Sequence, residues 1–228
     1  MSNFKQTLNF KELVVYLDKQ LNNMFPDEKT NDKLAKYVQN ALERIEYCFN
    51  CINSKYYNNG NQVLFNHLNG DHYSTFLYFV SNEAYKDGNE LYYQKISMLN
   101  KIFFSIDLFG HIEMPKIFLL VHPIGSIIGR AQLNDYLVIY QGVTIGGVKK
   151  NDVIHYPKIG ENVICYSNTS ILGNSKIGSN VILGAGTHLV NEVIENNKTV
   201  ITEKLKLKLK DNSINDFSNF LIKKHNNE

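Results

Sequence analysis

Aliphatic residues recur every six positions through the second half of the chain. The clearest run extends from Lys158 to Leu189. Its apolar positions are Ile159, Cys165, Ile171, Ile177, Leu183 and Leu189. A small or branched residue follows each of them by four places, namely Val163, Thr169, Ser175, Val181, Thr187 and Val193. A period of six fits neither an α-helix nor an alternating strand, so it indicates a repeat architecture.

The same period continues upstream with one break. Val121, Ile127, Leu133, Ile139 and Ile145 keep the spacing of six, but Val153 follows Ile145 by eight, which we interpret as a two-residue loop insertion. Hexapeptide units build a parallel β-helix, in which short strands of successive coils stack and bury their aliphatic rows. An ordinary sheet of short strands is the alternative. We expect glycines to supply the corner conformations: Gly129, Gly160, Gly173, Gly178 and Gly184.

The N-terminal half has the periodicity of amphipathic helices. It predicts helices from Phe10 to Phe25, from Asn31 to about Ile52 and from Tyr73 to Tyr85, and a fourth that begins after Asn89. Thr30 is expected to cap the second of them.

The predicted fold class is therefore α+β, with three parts. An α-helical domain covers residues 1–106, a β-helix covers residues 107–202, and a C-terminal tail covers residues 203–228. In the tail, strict alternation from Lys204 to Lys210 predicts a strand with a lysine-covered edge, and apolar residues from Ile214 to Ile222 have helical spacing.

Composition narrows the class of protein. A hydrophobic content of 43%, a charged content of 20% and a formal net charge of +2 give no sign of a nucleic-acid partner. No apolar run is long enough for a membrane span or a signal sequence, so we expect a cytoplasmic protein without a membrane partner. Cys48 and Cys51 form a lone CxxC on the apolar stripe of a helix, which favours burial over metal binding. Cys165 occupies a core position of the repeat.

Four motifs occur in order in the repeat region: HPIGSIIG (122–129), QGVTIGG (141–147), HYPKIGENV (155–163) and LGAGT (183–187). Together they resemble the serine O-acetyltransferase family, acetyl-CoA enzymes with a left-handed parallel β-helix behind an N-terminal helical domain. The resemblance covers roughly residues 90–200. It implies metal-independent transfer of an acetyl group from acetyl-CoA to a small hydroxyl acceptor, with serine the leading candidate. It also implies a homotrimer, or a dimer of trimers, with each active site between neighbouring β-helices.

Acetyl transfer to a hydroxyl needs a base near neutral pH, and histidine has an unperturbed pKa near 6.5. By resemblance, His122 is the catalytic base. Asp107, fifteen residues earlier in SIDLFG, matches the carboxylate that fixes the imidazole tautomer. Glu113 is the rival for that role and a substrate-binding candidate. His155 resembles the family's second histidine, which helps to bind the acceptor's carboxylate.

The resemblance also assigns the donor site. Backbone N–H groups of two glycine-rich motifs are expected along the pantetheine arm, where they can hold the thioester oxygen. The candidates are Gln141, Gly142, Thr144, Gly146, Gly147, Gly184, Ala185 and Gly186. Alternatively, these glycines only turn corners of the β-helix.

Two departures from the family make the acceptor less certain than the reaction. Val121 replaces the acid before the catalytic histidine, and Ile154 replaces the arginine before the second histidine. A free amino acid would then need other partners, and Asp71, Glu83 and Asp87 are candidates for its ammonium group. The alternatives are a sugar or another small hydroxyl acceptor, or a catalytically silent hexapeptide scaffold that binds a partner enzyme.

Overall fold

The structure is a computed structural model that describes residues 4–27, 32–59, 61–203 and 206–212. The chain divides into two compact units, the first ending at His111 and the second beginning at Ile112. The first unit is mainly helical, and the second is built from short strands. In the described ranges, no helix combines the length and apolar character needed to cross a bilayer.

The predicted helices are present in the first unit. They are α1 (Phe10–Met24), α2 (Leu34–Asn50), α3 (Gly70–Lys86) and α4 (Glu90–Phe104), and the strands β1 (Phe4–Gln6) and β2 (Val63–Phe65) pair in parallel beside them. The second helix begins later than predicted, with Lys33 at the N-cap position and no side-chain cap. Thr30, the expected cap, lies outside the described residues.

Asparagines begin three of the four helices. The Asn9 side chain accepts from the backbone of Glu12, whose carboxylate accepts from the Asn9 N–H, so a complete capping box starts α1. Asn69 and Asn89 cap α3 and α4, where their side-chain oxygens accept from backbone N–H groups of the first turn. Gly88, with φ of +72°, follows the last turn of α3, as predicted.

All three cysteines are buried thiols. Cys48 lies in α2, Cys51 is the C-cap residue of that helix, and Cys165 faces the interior of the second unit. The prediction that these residues belong to the core is confirmed.

The described residues of the second unit form sixteen strands. They are β3 (Phe118–Leu120), β4 (Ile127–Ile128), β5 (Gln132–Leu133), β6 (Leu137–Ile139), β7 (Thr144–Gly146), β8 (Val148–Lys150), β9 (Val153–His155), β10 (Lys158–Ile159), β11 (Val163–Cys165), β12 (Ser170–Leu172), β13 (Lys176–Ile177), β14 (Val181–Leu183), β15 (His188–Val190), β16 (Val193–Ile194), β17 (Lys198–Glu203) and β18 (Lys206–Asp211).

Strands pair in parallel within three sheets of this unit, with the exception of the edge strand β18, which pairs antiparallel with β17. The six-stranded sheet has the order β18-β17-β14-β11-β6-β3, the β4 sheet has the order β15-β12-β7-β4, and the β5 sheet has the order β16-β13-β10-β5. The chain visits the three sheets in turn, so one strand from each makes a coil, and successive coils stack through parallel pairing.

The interior contains the predicted hexapeptide positions. The six aliphatic positions from Ile159 to Leu189 are at most 4% exposed, and five of the six small positions are fully buried. Val193 is the exception, because β16 pairs Val193 with Lys176 and so turns Ile194 inward. The prediction for Val193 is therefore wrong by one residue.

Upstream of Leu133 the predicted register is also wrong by one residue. Leu120 and Ile128 are the inward-facing residues of β3 and β4, instead of Val121 and Ile127. Leu120 and Ile128 are eight positions apart, and Leu133 follows Ile128 by five. Because one step is long and the next is short, a strict period of six counted back from Leu133 misses each buried residue by one.

The insertion after Ile145 is longer than predicted. Ile145 and Ile159 occupy consecutive interior positions but lie fourteen residues apart where one repeat needs six, so the insertion has eight residues and not two. It forms an antiparallel hairpin of β8 and β9. Val153 belongs to this hairpin and is 55% exposed, so it is not a core position.

Asparagines provide more of the left-handed corners than glycines do. Of the five glycines expected there, only Gly173 has a positive φ, whereas Asn162, Asn180 and Asn197 have φ between +55° and +60°. Gly160 is required for a different reason, because a Cβ there would lie 2.7 Å from the backbone of the next coil.

The six-stranded sheet is apolar on its outer side as well. The outward-facing middle residues of β3, β6, β11 and β14 are all at most 8% exposed: Leu119, Val138, Ile164 and Ile182. The β5 sheet differs, because its outward residues Lys158 and Lys176 are exposed. At the end of the six-stranded sheet, β18 confirms the predicted strand over residues 206–211. The predicted helical spacing from Ile214 to Ile222 lies outside the described residues.

Candidate functional site

The corner after β3 contains two additional residues. Six residues, 121–126, join β3 to β4, whereas four residues, 140–143, join the strands β6 and β7 with which they pair. On one side of this corner the Val121 N–H donates to Ile139 O at 2.8 Å, and on the other side Ile124 O accepts from the Gly142 N–H at 2.9 Å. Val121 therefore corresponds to Tyr140 and Ile124 to Gln141, so the two additional residues are His122 and Pro123. We call this pair the His122 bulge.

The His122 bulge has an unusual backbone. His122 has φ of +47°, a left-handed conformation that most residues with a Cβ avoid, and its carbonyl accepts from the Ile124 N–H at 2.7 Å. Buried Ser126 closes the corner by donating its hydroxyl to Tyr140 O at 3.0 Å. Non-glycine residues held in this region cost roughly 1–3 kcal/mol and cluster at functional sites. His122 is also exposed, so its imidazole is accessible in this unit.

The same corner recurs in the next three coils and forms a column. The Asn168 N–H donates to Gln141 O, and the Gly186 N–H donates to Ser167 O, so Gln141, Ser167 and Ala185 occupy equivalent positions. The structure thus brings two predicted donor segments, 141–142 and 184–186, to one corner.

Between those segments lies the corner of the third coil, Tyr166-Ser167-Asn168, which the sequence analysis did not select. The Tyr166 ring packs against the Tyr140 ring of the coil below, with centroids 5.0 Å apart and planes tilted by 31°. Burial raises the pKa of both phenols. A tyrosine directly after a core residue in two successive coils was the feature in the sequence that could have revealed this pair.

The predicted donor-site glycines divide into packed and open positions. A Cβ on Gly142 would lie 2.2 Å from Asn168 Oδ1, and a Cβ on Gly147 would lie within 3 Å of Ile154 and Tyr156. Packing requires both glycines, and Gly142 also has φ of +68°. By contrast, Gly186 has no heavy atom within 4 Å of a Cβ, and Gly146 has only the end of a leucine side chain at 3.9 Å.

The remaining predicted donor residues lie around these glycines. Thr144 occupies an outward, half-buried position on β7. Gln141 and Ala185 are exposed at their corners, and Gly184 directly follows β14.

His155 lies at the end of the inserted hairpin. It is the last residue of β9, pairs in register with Val148 of β8 and is half-buried. Its neighbour Ile154 is 49% exposed and packs over Gly147, so the position where the family has arginine carries an apolar contact here.

Asp107 belongs to the first unit and forms an ion pair that the sequence did not predict. Lys101 Nζ lies 2.7 Å from its Oδ2, and no hydrogen bond to Oδ1 occurs among the described residues. Glu113 is exposed in the segment before β3. Which of these acids partners His122 stays a prediction.

Two of the proposed ammonium partners already have cations in the first unit. Arg44 lies 2.8 Å from Glu83. Lys33, at 2.7 Å, together with Tyr37 and Lys36, holds the pKa of the Asp87 carboxyl well below its usual range. The third candidate, Asp71, lies in the first turn of α3. No group of three potential metal-ligating side chains occurs in the part of the chain that the structure describes.

Comparisons with known proteins agree with the geometry. The family model described as bacterial transferase hexapeptide (six repeats) matches residues 156–191. Serine acetyltransferase of Staphylococcus epidermidis is 32% identical over 122 residues, which are 53% of this chain and 57% of that protein. The Staphylococcus xylosus serine acetyltransferase is 30% identical over the same length, with 56% of it covered. The chain therefore spans little more than half the length of the curated relatives it matches.

Solved structures show the fold. Serine acetyltransferase of Neisseria gonorrhoeae superposes with a TM-score of 0.63 at 22% identity, covering 82% of this chain and 72% of that one. A Brucella abortus serine acetyltransferase in complex with coenzyme A gives 0.60 at 19% identity, covering 86% and 72%. The second unit is thus a left-handed parallel β-helix of hexapeptide repeats, as predicted, and it follows the helical unit along the chain. The resemblance to serine acetyltransferases, inferred from the motifs, is confirmed.

Proposed function

We propose that the protein is an acetyl-CoA-dependent O-acetyltransferase that acts as a trimer in the cytoplasm. The observation that carries the proposal is the His122 bulge, which presents an exposed histidine at the corner where the two glycine-bearing segments align. Serine is the acceptor that the names of the curated relatives suggest, and acetyl-CoA is the donor.

The proposed reaction needs one proton acceptor and one site for the developing oxyanion. The His122 imidazole takes the proton of the acceptor hydroxyl, and the hydroxyl oxygen attacks the thioester carbonyl carbon at the same time. The C–O bond forms, the C–S bond breaks, and the imidazolium returns the proton to the leaving thiolate. No covalent enzyme intermediate and no metal are required.

The donor is proposed to lie along the corner column. Gly186 leaves open space in that column and Gly146 does so at the other end of β7, so the backbone at both positions can approach the pantetheine arm. Gln141, Gly142, Thr144, Gly147, Gly184 and Ala185 complete the proposed donor surface.

The imidazole needs a carboxylate that fixes its tautomer, and we propose Asp107 for this role. Within the first unit, Lys101 binds Oδ2 and orients the carboxylate. Asp107→Asn should then lower turnover while the fold is retained. If Glu113→Gln is crippled and Asp107→Asn is not, Glu113 is the partner.

His122→Ala tests the proposal. It should reduce thiol release from acetyl-CoA about 10²-fold or more, the usual magnitude for a lost general base. The control is His188→Ala, which removes an exposed histidine from β15 of the same unit. Near-normal turnover in a folded His122→Ala variant would remove this residue from the mechanism. Absence of thiol release from the wild type with every acceptor would favour the silent scaffold.

A further inference from the structure

The side chains beside the His122 bulge are the ones that an acceptor must meet. Because the bulge lies between Val121 and Ile124, its neighbours in the second coil are Tyr140 and Gln141, one strand spacing away, about 4.8 Å. Ile124 itself is 64% exposed. These four residues of this unit therefore flank the histidine that an acceptor hydroxyl must reach.

None of the side chains that share this column carries a formal charge. The equivalent positions of the first four coils are Val121 and Ile124, Tyr140 and Gln141, Tyr166 and Ser167, and Gly184 and Ala185. An ammonium or a carboxylate that leaves water is held best by charged partners, and these positions provide only neutral ones. A zwitterionic amino acid is thus poorly matched to this part of the site.

An aromatic ring surrounded by neutral polar groups suits a different ligand. The Tyr140 and Tyr166 rings form a half-buried pair 5.0 Å apart. The phenol of Tyr140, the hydroxyl of Ser167 and the amide of Gln141 add uncharged donors and acceptors. An aromatic surface binds apolar C–H faces, while its polar neighbours hold hydroxyls.

We propose that the acceptor is an uncharged carbohydrate whose pyranose ring lies against Tyr140, with one hydroxyl directed at His122. This inference rests on the proposed acetyl transfer and specifies its substrate class. Tyr140 is then a specificity-determining residue that distinguishes a sugar ring from free serine. Tyr166 is a positioning residue, because its ring packs against the Tyr140 ring.

The first test compares acceptors on the wild-type protein. Thiol release from acetyl-CoA is measured with L-serine, with methyl glucoside and methyl galactoside, and with N-acetylglucosamine. At least one sugar should have a specificity constant ten or more times that of serine. A higher specificity constant for serine than for every sugar would overturn the carbohydrate proposal but leave acetyl transfer intact.

The second test uses Tyr140→Ala, Tyr140→Phe and Tyr166→Ala with the best sugar. Tyr140→Ala should raise the KM for the sugar about 5- to 10-fold, the range expected for one aromatic contact, with the KM for acetyl-CoA unchanged. Tyr140→Phe keeps the ring and should stay within about 2-fold of the wild type. Tyr56→Ala is the matched control, because it removes an exposed tyrosine of the first unit that the proposed site does not include.

The variants also separate the two levels of the proposal. A rise in the KM for acetyl-CoA in Tyr140→Ala, with the sugar KM unchanged, would make Tyr140 a donor contact and overturn the carbohydrate proposal. If Tyr140→Ala does not fold, Tyr140→Phe and Tyr166→Ala provide the comparison. An unchanged sugar KM in a folded Tyr166→Ala variant would then show that the Tyr140–Tyr166 pair does not hold the sugar. Failure of acetyl transfer itself shows differently, as absence of thiol release from the wild type with serine and with every sugar.

Discussion

At the residue scale, His72 in α3 is a buried imidazole without a charged partner. It is 1% exposed and packs against the rings of Tyr57 at 4.3 Å and Phe49 at 4.9 Å. The Asn66 N–H donates to Nδ1 at 3.1 Å, while Nε2 has no hydrogen bond among the described residues. Burial lowers the pKa of this imidazole to about 4, since the charged form would lose its hydration.

This shift makes stability depend on pH in a defined window. Because the folded pKa lies below the unfolded value of 6.5, the neutral His72 favours folding above pH 6.5, and stability is lost as the pH falls from 6.5 towards 4. The loss should reach roughly 3 kcal/mol at the lower end. Denaturant unfolding from pH 7 to pH 4.5 measures it. The slope should be smaller in His72→Gln and unchanged in His188→Gln. An identical slope in all three proteins would show that His72 titrates normally in the fold.

At the scale of one element, β13 offers a direct comparison of the two sides of a coil. Ile177 faces the interior and is 4% exposed, while its neighbour Lys176 points outward. Ile177→Ala should destabilise the protein by roughly 2–5 kcal/mol, because it removes enclosed aliphatic volume. Lys176→Ala should stay within about 0.5 kcal/mol of the wild type. Thermal melts of both variants test this, and similar small shifts would contradict the observed register.

The outer side of the six-stranded sheet leads to a second element-scale prediction. Ile164 is the middle residue of β11 and is 1% exposed although it points away from the interior. Ile164→Asp should cost about 3 kcal/mol or more, since it places an unpaired charge in a covered site. His188→Asp, at an exposed outward position on β15, is the control. If chemical denaturation gives equal stability for both variants, the outer side of this sheet is accessible to water.

The elements also show where the sequence was informative. Residues from Ile159 to Leu189 were placed correctly because a strict repeat leaves only one way to stack the coils. The His122 bulge was missed because its two additional residues are nearly offset by a short step from Ile128 to Leu133. The hairpin was read as a shorter loop because Val153 happens to fit a continuing apolar register. Spacing alone cannot distinguish an interior valine from an exposed one.

At the scale of the whole molecule, contacts between distant segments limit how much of the site the sequence can predict. Linear motifs selected His122 and the segments around Gly142 and Gly186, and the fold aligns those two segments at one corner. The pairing of Tyr140 with Tyr166 could not be read from either motif, because the two residues lie a full coil and an insertion apart. Nor does the spacing of Lys101 and Asp107, six residues apart at the end of α4, indicate the ion pair between them. Contacts across coils or helices depend on the register of the fold, which linear spacing does not report.

The proposed assembly gives the last prediction. If each active site lies between neighbouring β-helices of a trimer, His122 of one chain and His155 of the next serve the same site. His122→Ala and His155→Ala, each nearly inactive alone, should then complement each other when the two chains are co-expressed and purified together. Random mixing leaves about a quarter of the sites with both histidines intact, so about a quarter of wild-type turnover should return. Light scattering should give three times the chain mass. Separately folded variants mixed without exchange are the control, and co-expressed chains that show only the mean of the two variants would place each site within one chain.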